Sequence, residues 1–288
     1  MNKYTVFVDS SCDIPQEMLD NYGLHTIELT FRFTDSPEEF RNCDLDIDDF
    51  YRNLREGRDA KTAAINAEQF KLNFEPELEA GRDVLYIGFS SGLSTTYNQS
   101  RMAAAELSKK YPERQILTAD SLCESSGYGM IVMLAMKKLA EGATLEEAVK
   151  YIESIRLSIC HWFTVDDLKF LHRGGRVGAV AAFVGTAIGI KPILHVDNDG
   201  KLINLYNVRG RKKAIRELAK KLAELRTDGE DSPIYISHGD CREDADELAR
   251  QVKEITGSDV DVIAPIGPVI GSHSGPGTLA LFFVGKER

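Results

Sequence analysis

Strand-like runs alternate with helical stretches through the first half of the chain, and this alternation restricts the fold more than any other feature. The strand-like runs lie at residues 4–8, 26–29, 84–89 and 116–118, and stretches with helical periodicity separate them. Strands that alternate with helices in this way form a parallel sheet covered by helices on both faces. We therefore expect an α/β fold with a parallel sheet in this half.

Residues that cap helices mark several helix ends in the same half. Asn66 stands at a predicted helix start, and Thr144 is followed three residues later by Glu147, which is the spacing of a capping box. Gly81 and Gly142 are suited to helix ends, because glycine readily adopts the left-handed backbone conformation found there. These residues predict helices that follow Asn66 and Thr144.

After about residue 158 the pattern becomes mixed. The Asp199-Gly200 pair separates two alternating runs, residues 193–196 and 202–208, which predicts a β-hairpin. Further helices are predicted at residues 211–225 and 244–256, and further strands at residues 234–237, 260–263 and 279–284. We expect two domains: an α/β domain with a parallel sheet at residues 1–158 and a mixed α+β domain at residues 159–288.

The composition excludes some classes of protein. The chain has 288 residues, of which 43% are hydrophobic, and a formal net charge of -10. Nucleic acid is not an expected partner, because contacts to the phosphate backbone need a basic surface. The five cysteines are scattered and include no Cys-x-x-Cys pair, so the sequence indicates neither a zinc site nor a redox pair.

Two segments bear on localisation. The first residues lack the basic and apolar regions of a secretory signal, so we expect a cytoplasmic protein. The longest nearly apolar run, residues 177–190, is about 14 residues long, whereas a helix that crosses a bilayer needs about 20. We interpret this run as a buried helix or the wall of a tunnel, and we expect no stable membrane insertion.

Two motifs resemble binding loops only in part. The acidic run at residues 44–49 imitates the start of a calcium loop, but Asp49 and Arg55 stand where glycine and glutamate are needed. We therefore predict an acidic helix cap without a metal ion. The sequence GPGTLA at residues 275–280 has the letters of a dinucleotide fingerprint without its strand-turn-helix setting, and we predict a glycine turn there.

Two residues leave catalytic alternatives open. Ser90 lies in a Gly-x-Ser-x-Gly pattern after a predicted strand, which is typical of the nucleophile of a serine hydrolase, here one acting on a lipid ester. The helix of such an enzyme starts at the nucleophile, whereas here the next predicted helix cap is Ser94-Thr95. Asp9 follows the first strand-like run, as in a doubly wound phosphotransfer or nucleotide-binding protein.

Turns rich in hydroxyl groups and glycine lie at residues 9–11, 61–62, 91–96 and 271–275. In an open α/β sheet, ligands bind in the crevice beyond the carboxyl ends of the strands. Hydroxyl groups and the N–H groups of a helix start are suited to binding an anion. The alternative interpretation is that these residues only cap helices and shape turns.

Five segments, taken in order, resemble the DegV family. They are VDSSCDIP at residues 8–15, SGLSTTY at 91–97, LHRGGRV at 171–177, KPIL at 191–194 and GPVIGSHSGPG at 267–277. They span nearly the whole chain, and their order and spacing make the resemblance specific. The resemblance implies two domains that enclose one long-chain fatty acid between them, and no other cofactor.

The resemblance also implies a partner and a set of site residues. It suggests the lipid-binding, FakB-like subunit of a bacterial fatty acid kinase in phospholipid metabolism, a carrier rather than an enzyme, whose separate kinase subunit performs the ATP chemistry. The residues implied near the fatty-acid carboxylate are Thr62, Ser94, Thr95 and His273. Arg209 and Arg173 are the residues implied to face the kinase.

Three further features of the sequence bear on this resemblance. Val180, Phe183, Val184 and Ile188 recur at near-helical spacing and are predicted to line the lipid tail, although an ordinary core helix has the same spacing. The family usually has Thr-Ser-x-Pro-Ser where this chain reads TAAIN at residues 62–66, so only the threonine is kept. The basic run at residues 209–213 suits either an acidic partner surface or a solvated helix face.

Overall fold

A computed structural model describes residues 3–177, 189–227 and 232–288 of the chain. The strands of the first part are β1 (Tyr4–Asp9), β2 (His25–Ile27), β3 (Thr30–Phe33), β4 (Phe40–Arg41), β5 (Ala60–Ala63), β6 (Asp83–Gly88) and β7 (Ile116–Asp120). The helices of this part are α1 (Gln16–Asn21), α2 (Ile47–Arg55), α3 (Ala67–Glu79), α4 (Thr96–Lys110), α5 (Ser125–Ala140) and α6 (Leu145–Ile155). A short 3₁₀ turn, Arg156–Ser158, follows them.

The predicted parallel sheet is confirmed. Four strands lie in the order β2, β1, β6, β7, and each neighbouring pair is parallel. The caps are also where the sequence indicates them. Asn66 and Gln69 form a capping box at the start of α3, and Thr144 and Glu147 form another at the start of α6.

A second, three-stranded sheet in this part was not predicted. Its order is β4, β3, β5, and both pairs are antiparallel. The strand predicted at residues 26–29 is confirmed only as far as Ile27, because the chain leaves the parallel sheet there and enters the second sheet at Thr30. The Leu29 N–H donates to Ser10 Oγ at 3.0 Å at this change of direction. The Thr-Phe-Arg-Phe sequence of β3 alternates polar with buried apolar residues, so its signal was missed, whereas β4 and β5 show no such alternation.

The second part of the chain builds one larger sheet. Its strands are β8 (Ile159–Thr164), β9 (Ile190–Val196), β10 (Leu202–Arg209), β11 (Ile234–His238), β12 (Val262–Pro265) and β13 (Leu279–Val284). Its helices are α7 (Lys169–Arg173), α8 (Arg211–Leu225), α9 (Arg242–Thr256) and α10 (Pro268–Ser274). The strand order is β10, β9, β8, β13, β11, β12. The β11–β12 pair is parallel and the other pairs are antiparallel, so the predicted mixed character is confirmed.

Two elements of the second part differ from the prediction. The whole of β8 is buried, so it lacks the alternation that reveals a half-exposed strand, and it was missed. The glycine-rich segment before β13 does not only turn, because its first half forms α10 with Pro268 at its start. The helix ends at Gly275, which has φ of 78° and touches the Phe170 ring so closely that no larger residue fits.

Helix α5 connects the two large sheets. All of its residues from Ser125 to Met136 are buried, and it packs against β8, β11 and β13. On its other side, the Tyr128 hydroxyl donates to Ile87 O at 2.6 Å and accepts from Asp9 N at 3.0 Å. The largest apolar cluster therefore includes residues of both sheets. The domain boundary at residue 158 stays a prediction, although the larger sheet begins at Ile159.

The helices were also compared with the requirements of a bilayer. Across the described ranges, none is at once long enough and apolar enough to cross a membrane.

The first prediction concerns the Tyr128 hydroxyl. Tyr128→Phe leaves one buried N–H and one buried carbonyl without a partner, so we expect a loss of about 1–3 kcal/mol in the free energy of unfolding. Urea denaturation followed by circular dichroism measures this loss. Tyr22→Phe is the matched control, because Tyr22 is exposed and its change should stay within about 0.5 kcal/mol. Equal stability of the two variants would contradict the role of Tyr128.

Candidate ligand-binding site

A cavity of about 380 Å³ lies beyond the carboxyl ends of β1, β6 and β7, where the larger sheet and α10 meet them. This volume is typical of small-molecule sites, which occupy about 300–1,000 Å³. Much of its wall is apolar, including Leu29, Phe89, Leu93, Phe163, Leu171, Leu202, Ile266, Val269, Ile270 and Ala280. The polar wall residues include Thr62, Ser94, Thr95, Arg176 and His273.

The structure brings together the residues that the resemblance implies at a carboxylate. Thr62, at the end of β5, and His273, in α10, are joined by a hydrogen bond of 2.8 Å between Oγ1 and Nε2. They meet because α10 packs against both β3 and β5. Gly174 lies against the His273 ring, and a side chain at that position would collide with Nδ1. The ring is thereby held between Thr62 and the loop after α7.

His273 is neutral at physiological pH. Burial, followed by the positive charges of Arg176 and Arg173, lowers the pKa of its imidazole to about 4. A neutral imidazole has one N–H donor and one acceptor nitrogen. His273 therefore acts on an anion as a hydrogen-bonding group and not as a positive charge.

Ser94 and Thr95 stand at the start of α4. The Ser94 hydroxyl lies 2.9 Å from Thr96 Oγ1 and accepts from Thr96 N at 3.2 Å. Thr95 is the N-cap residue but its side chain makes no capping bond, and it is exposed at the rim of the cavity. The first N–H groups of a helix carry partial positive charge and attract anions. This helix start therefore adds N–H donors to the part of the cavity wall that contains Ser94 and Thr95.

Arg176 is a cavity residue to which sequence reasoning gave no role. Its guanidinium donates to Gly174 O, and burial lowers its pKa. It forms no ion pair with any carboxylate of the described residues. A half-buried guanidinium without a counter-ion loses part of its hydration, which makes this position attractive to an anion. The sequence contained a signal, because Arg176 follows the Gly174-Gly175 pair in the LHRGGRV segment at residues 171–177.

The two arginines predicted to face a partner lie in different settings. Arg173 forms an ion pair with Asp59 and lies with its guanidinium 5.0 Å from the centre of the Phe170 ring. Arg209, the last residue of β10, is exposed and forms no ion pair within the described ranges. Basic residues next to it are partly neutralised, since Arg211 pairs with Asp244 at 2.8 Å. Of the two predicted contacts, Arg209 is therefore the one whose guanidinium is not already engaged in an ion pair with a described residue.

The geometry opposes both catalytic alternatives. Ser90 is fully buried, and its hydroxyl donates to Gly200 O at 2.7 Å and accepts from Gly92 N at 3.1 Å. It has no histidine partner among the described residues, so it positions a turn instead of acting as a nucleophile. Asp9 is also fully buried, and Tyr86, Ser11 and Phe89 donate to its carboxylate. It is inaccessible to a phosphoryl donor.

The TAAIN segment at residues 62–66 keeps part of the expected site. Thr62, Ala63 and Ala64 line the cavity, Ile65 is buried in the core and Asn66 caps α3. The missing serine therefore removes one hydroxyl from the wall and leaves Thr62 in place. The predicted tail-lining residues Val180, Phe183, Val184 and Ile188 lie outside the described residues.

The acidic run before α2 acts as predicted. Asp46 is the N-cap residue, and its carboxylate accepts from Asp48 N at 3.0 Å and Asp49 N at 3.4 Å. A search of the described ranges for three or more His, Cys, Asp or Glu residues placed to hold a metal ion finds none.

Comparisons with known proteins agree with this architecture. Residues 3–286 match the family described as "Uncharacterised protein, DegV family". A DegV domain-containing protein of Clostridium perfringens is 37% identical over 290 residues, which cover 100% of this chain and 99% of the relative. A protein of Thermotoga maritima named "Fatty acid-binding protein" is 32% identical, with 99% of each chain covered.

Solved structures show the same fold. A DegV lipid-binding protein of Thermotoga maritima has a TM-score of 0.85 and 30% identity, with 99% of each chain covered. A fatty-acid-binding DegV family protein of Thermus thermophilus has a TM-score of 0.86 and 29% identity over 98% of this chain and 99% of its own. The match over nearly the whole length, in sequence and in structure, shows that this chain belongs to the DegV family.

Proposed function

We propose that this chain binds one long-chain fatty acid in the cavity and presents its carboxylate to a separate ATP-dependent kinase in the cytoplasm. The observation that supports it most is the division of the cavity into an apolar wall and one polar end. That end combines the unpaired Arg176 guanidinium with the hydroxyls of Thr62 and Ser94 and the neutral His273. The fatty-acid-binding function of DegV relatives supports the same ligand.

The energetics of a fatty acid suit this division. Burying about fourteen methylene groups of a sixteen-carbon acid releases about 11 kcal/mol before ordering costs. A carboxylate that follows its tail out of water needs donors or a positive charge, because burying an unpaired ion costs several kcal/mol. Arg176 supplies the charge, and Thr62 and Ser94 supply hydroxyl donors.

Two features of the chain support a separate kinase: the lack of an ATP-binding loop in the sequence and an exposed arginine at the end of β10. The chain has no P-loop sequence with which to hold ATP phosphates itself. Arg209 offers an exposed planar donor fork, which is suited to a phosphate or an acidic surface. We therefore assign the lipid to this chain and the phosphoryl transfer to a partner.

The second prediction tests the hydroxyl donors. Thr62→Val combined with Ser94→Ala should weaken palmitic acid binding by about 1.5–3 kcal/mol for each lost charge-assisted bond. Titration calorimetry on delipidated protein measures the change. Thr95→Ala is the control for surface effects, because Thr95 is exposed at the rim and a smaller loss is expected. Unchanged affinity in the folded double variant would place the carboxylate elsewhere.

The third prediction tests the charge of Arg176. Arg176→Met keeps much of the side-chain volume but removes the positive charge, so it should weaken palmitic acid binding at least tenfold, or about 1.4 kcal/mol. Binding of the uncharged hexadecanol should change much less, because it needs no counter-ion. Competition with a fluorescent lipid measures both ligands. An equal loss for the acid and the alcohol would mean that Arg176 supports the fold and not the carboxylate.

The fourth prediction tests the surface role of Arg209. Arg209→Ala should leave palmitic acid affinity intact but reduce acyl-phosphate formation about tenfold when the cognate kinase is supplied at limiting carrier concentration. Raising the ionic strength should slow the reaction of the unmodified protein more than that of the variant, because salt screens steering charges. Arg173→Ala is the matched comparison, since Arg173 is already paired with Asp59. Full turnover by the Arg209 variant would refute a docking role.

A further inference from the structure

One acidic side chain interrupts the apolar part of the cavity wall. Glu124 is the residue before α5, is only 9% exposed and lines the cavity. Phe89, Phe163 and Ala280 are among the apolar residues of the same wall. Neither the carboxylate end of the proposed lipid site nor the proposed kinase contact uses Glu124. A buried carboxyl in a wall that faces a hydrocarbon chain needs its own explanation.

The strand register places Glu124 away from the polar end. Thr278 lies beside α10, where its hydroxyl hydrogen-bonds to Ser274 O at 3.0 Å. Four residues further along β13, Phe282 pairs with His161 of β8, and His161 Nδ1 lies 3.3 Å from Glu124 Oε1. Four residues of a strand span about 14 Å. The Glu124–His161 pair therefore lies toward the Phe282 end of this strand, away from Thr278 and α10.

One oxygen of Glu124 has no protein partner. Oε1 is hydrogen-bonded to Nδ1 of His161, whose ring is fully buried. The described residues form no hydrogen bond to Oε2. Because Oε2 is not one of the fully enclosed polar atoms that lack a partner, it keeps contact with open space. Glu124 is also one of the cavity-lining residues, which is consistent with Oε2 facing the cavity. A ligand atom at this point has a hydrogen-bonding group available to it.

Both members of the Glu124–His161 pair are neutral near pH 7. Burial, with a contribution from the Asp13 charge, raises the pKa of Glu124 to about 8. Burial lowers the pKa of His161 well below its ordinary range. A protonated carboxyl combines an O–H donor with a carbonyl acceptor, so it presents a hydrogen-bonding group without placing an ion against the lipid tail. A simple methylene chain leaves this group unsatisfied, which costs about 1–3 kcal/mol.

We propose that Glu124 is a specificity-determining residue that recognises a hydroxyl group on the distal half of the acyl chain. The ligand class is a hydroxylated long-chain fatty acid. A hydroxyl both donates and accepts, so it satisfies Oε2 whichever oxygen of Glu124 carries the proton. This inference rests on the proposed fatty-acid site and adds a preference among fatty acids.

The experiment compares matched lipids on delipidated full-length protein. Titration calorimetry is carried out with stearic acid, 10-hydroxystearic acid, 12-hydroxystearic acid and 2-hydroxystearic acid. We expect at least one of the two distal hydroxy acids to bind as tightly as stearic acid or more tightly. The hydroxyl of 2-hydroxystearic acid lies next to the carboxylate and cannot reach Glu124, so it should gain nothing from that residue.

Two substitutions separate hydrogen bonding from packing. Glu124→Leu should reduce the affinity for the favoured hydroxy acid, relative to stearic acid, about tenfold, as expected for one lost buried hydrogen bond. Glu124→Gln keeps a donor and an acceptor of similar shape and should retain most of the preference. Circular dichroism and thermal unfolding confirm that each variant is folded. The comparison of lipids on the unmodified protein does not depend on either variant.

The outcomes distinguish this inference from the function on which it rests. Stearic acid binding together with weaker binding of both distal hydroxy acids than of stearic acid would overturn the role of Glu124 and leave the fatty-acid site intact. An unchanged preference in the folded Glu124→Leu protein would also overturn it. Failure of every lipid to bind would refute both the proposed function and this inference.

Discussion

The buried helix α5 is the element on which the rest of the structure depends. Its two sides pack against different sheets, and close packing requires small residues at the contacts. Gly127 lies against the His161 and Phe282 rings, and Gly129 lies against the Cys12 carbonyl. A larger side chain at either glycine would push the sheets apart. The cavity lies at the N-terminal end of this helix, so its shape follows from the same packing.

The ionisable groups in the cavity wall differ in charge from one part of the cavity to another. At the polar end, Arg176 stays charged and lacks a carboxylate among the described residues, whereas burial keeps His273 neutral. At the distal end, burial keeps Glu124 in its protonated form. An anion is therefore favoured at one end and an uncharged hydrogen-bonding group at the other. This arrangement gives an amphipathic ligand a single favourable orientation.

The parts of the fold that the sequence predicted are those with strong local signals. The hairpin around Gly200 and the capping boxes at Asn66 and Thr144 depend on residues close together in the chain, and these predictions are confirmed. The wholly buried β8 was missed, because a strand covered on both faces has no alternation. α10 was taken for a turn because its glycine-rich sequence has low helix propensity, which tertiary packing overrides.

In the site, too, some residues could be predicted from local sequence patterns and others depend on contacts between distant parts of the chain. The position of Ser94 beyond the end of β6 follows from general rules for α/β sheets, whereas Thr62 lies within β5 of the antiparallel sheet, and the resemblance implies the use of both. The roles assigned to Arg176 and Glu124 depend on how far each is shielded from water and on the lack of a described partner. No local sequence pattern reveals either property. The pairing of Glu124 with His161 joins residues 37 positions apart through the packing of α5 against β8. Sequence patterns therefore indicate the region of the fold that binds a ligand, while tertiary contacts determine which polar and charged groups the ligand contacts there.

The ligand and the fold are coupled because the two parts of the chain build the cavity together. Thr62 and Ser94 belong to the first part, whereas Phe163 and His273 belong to the second. A molecule that contacts all four binds only when both parts are folded and packed, so occupancy stabilises the native state according to the ratio of ligand concentration to Kd. The apolar wall also gains dispersion contacts that an empty cavity lacks. A lipid bound as proposed would thus complete the core and connect the two parts of the fold.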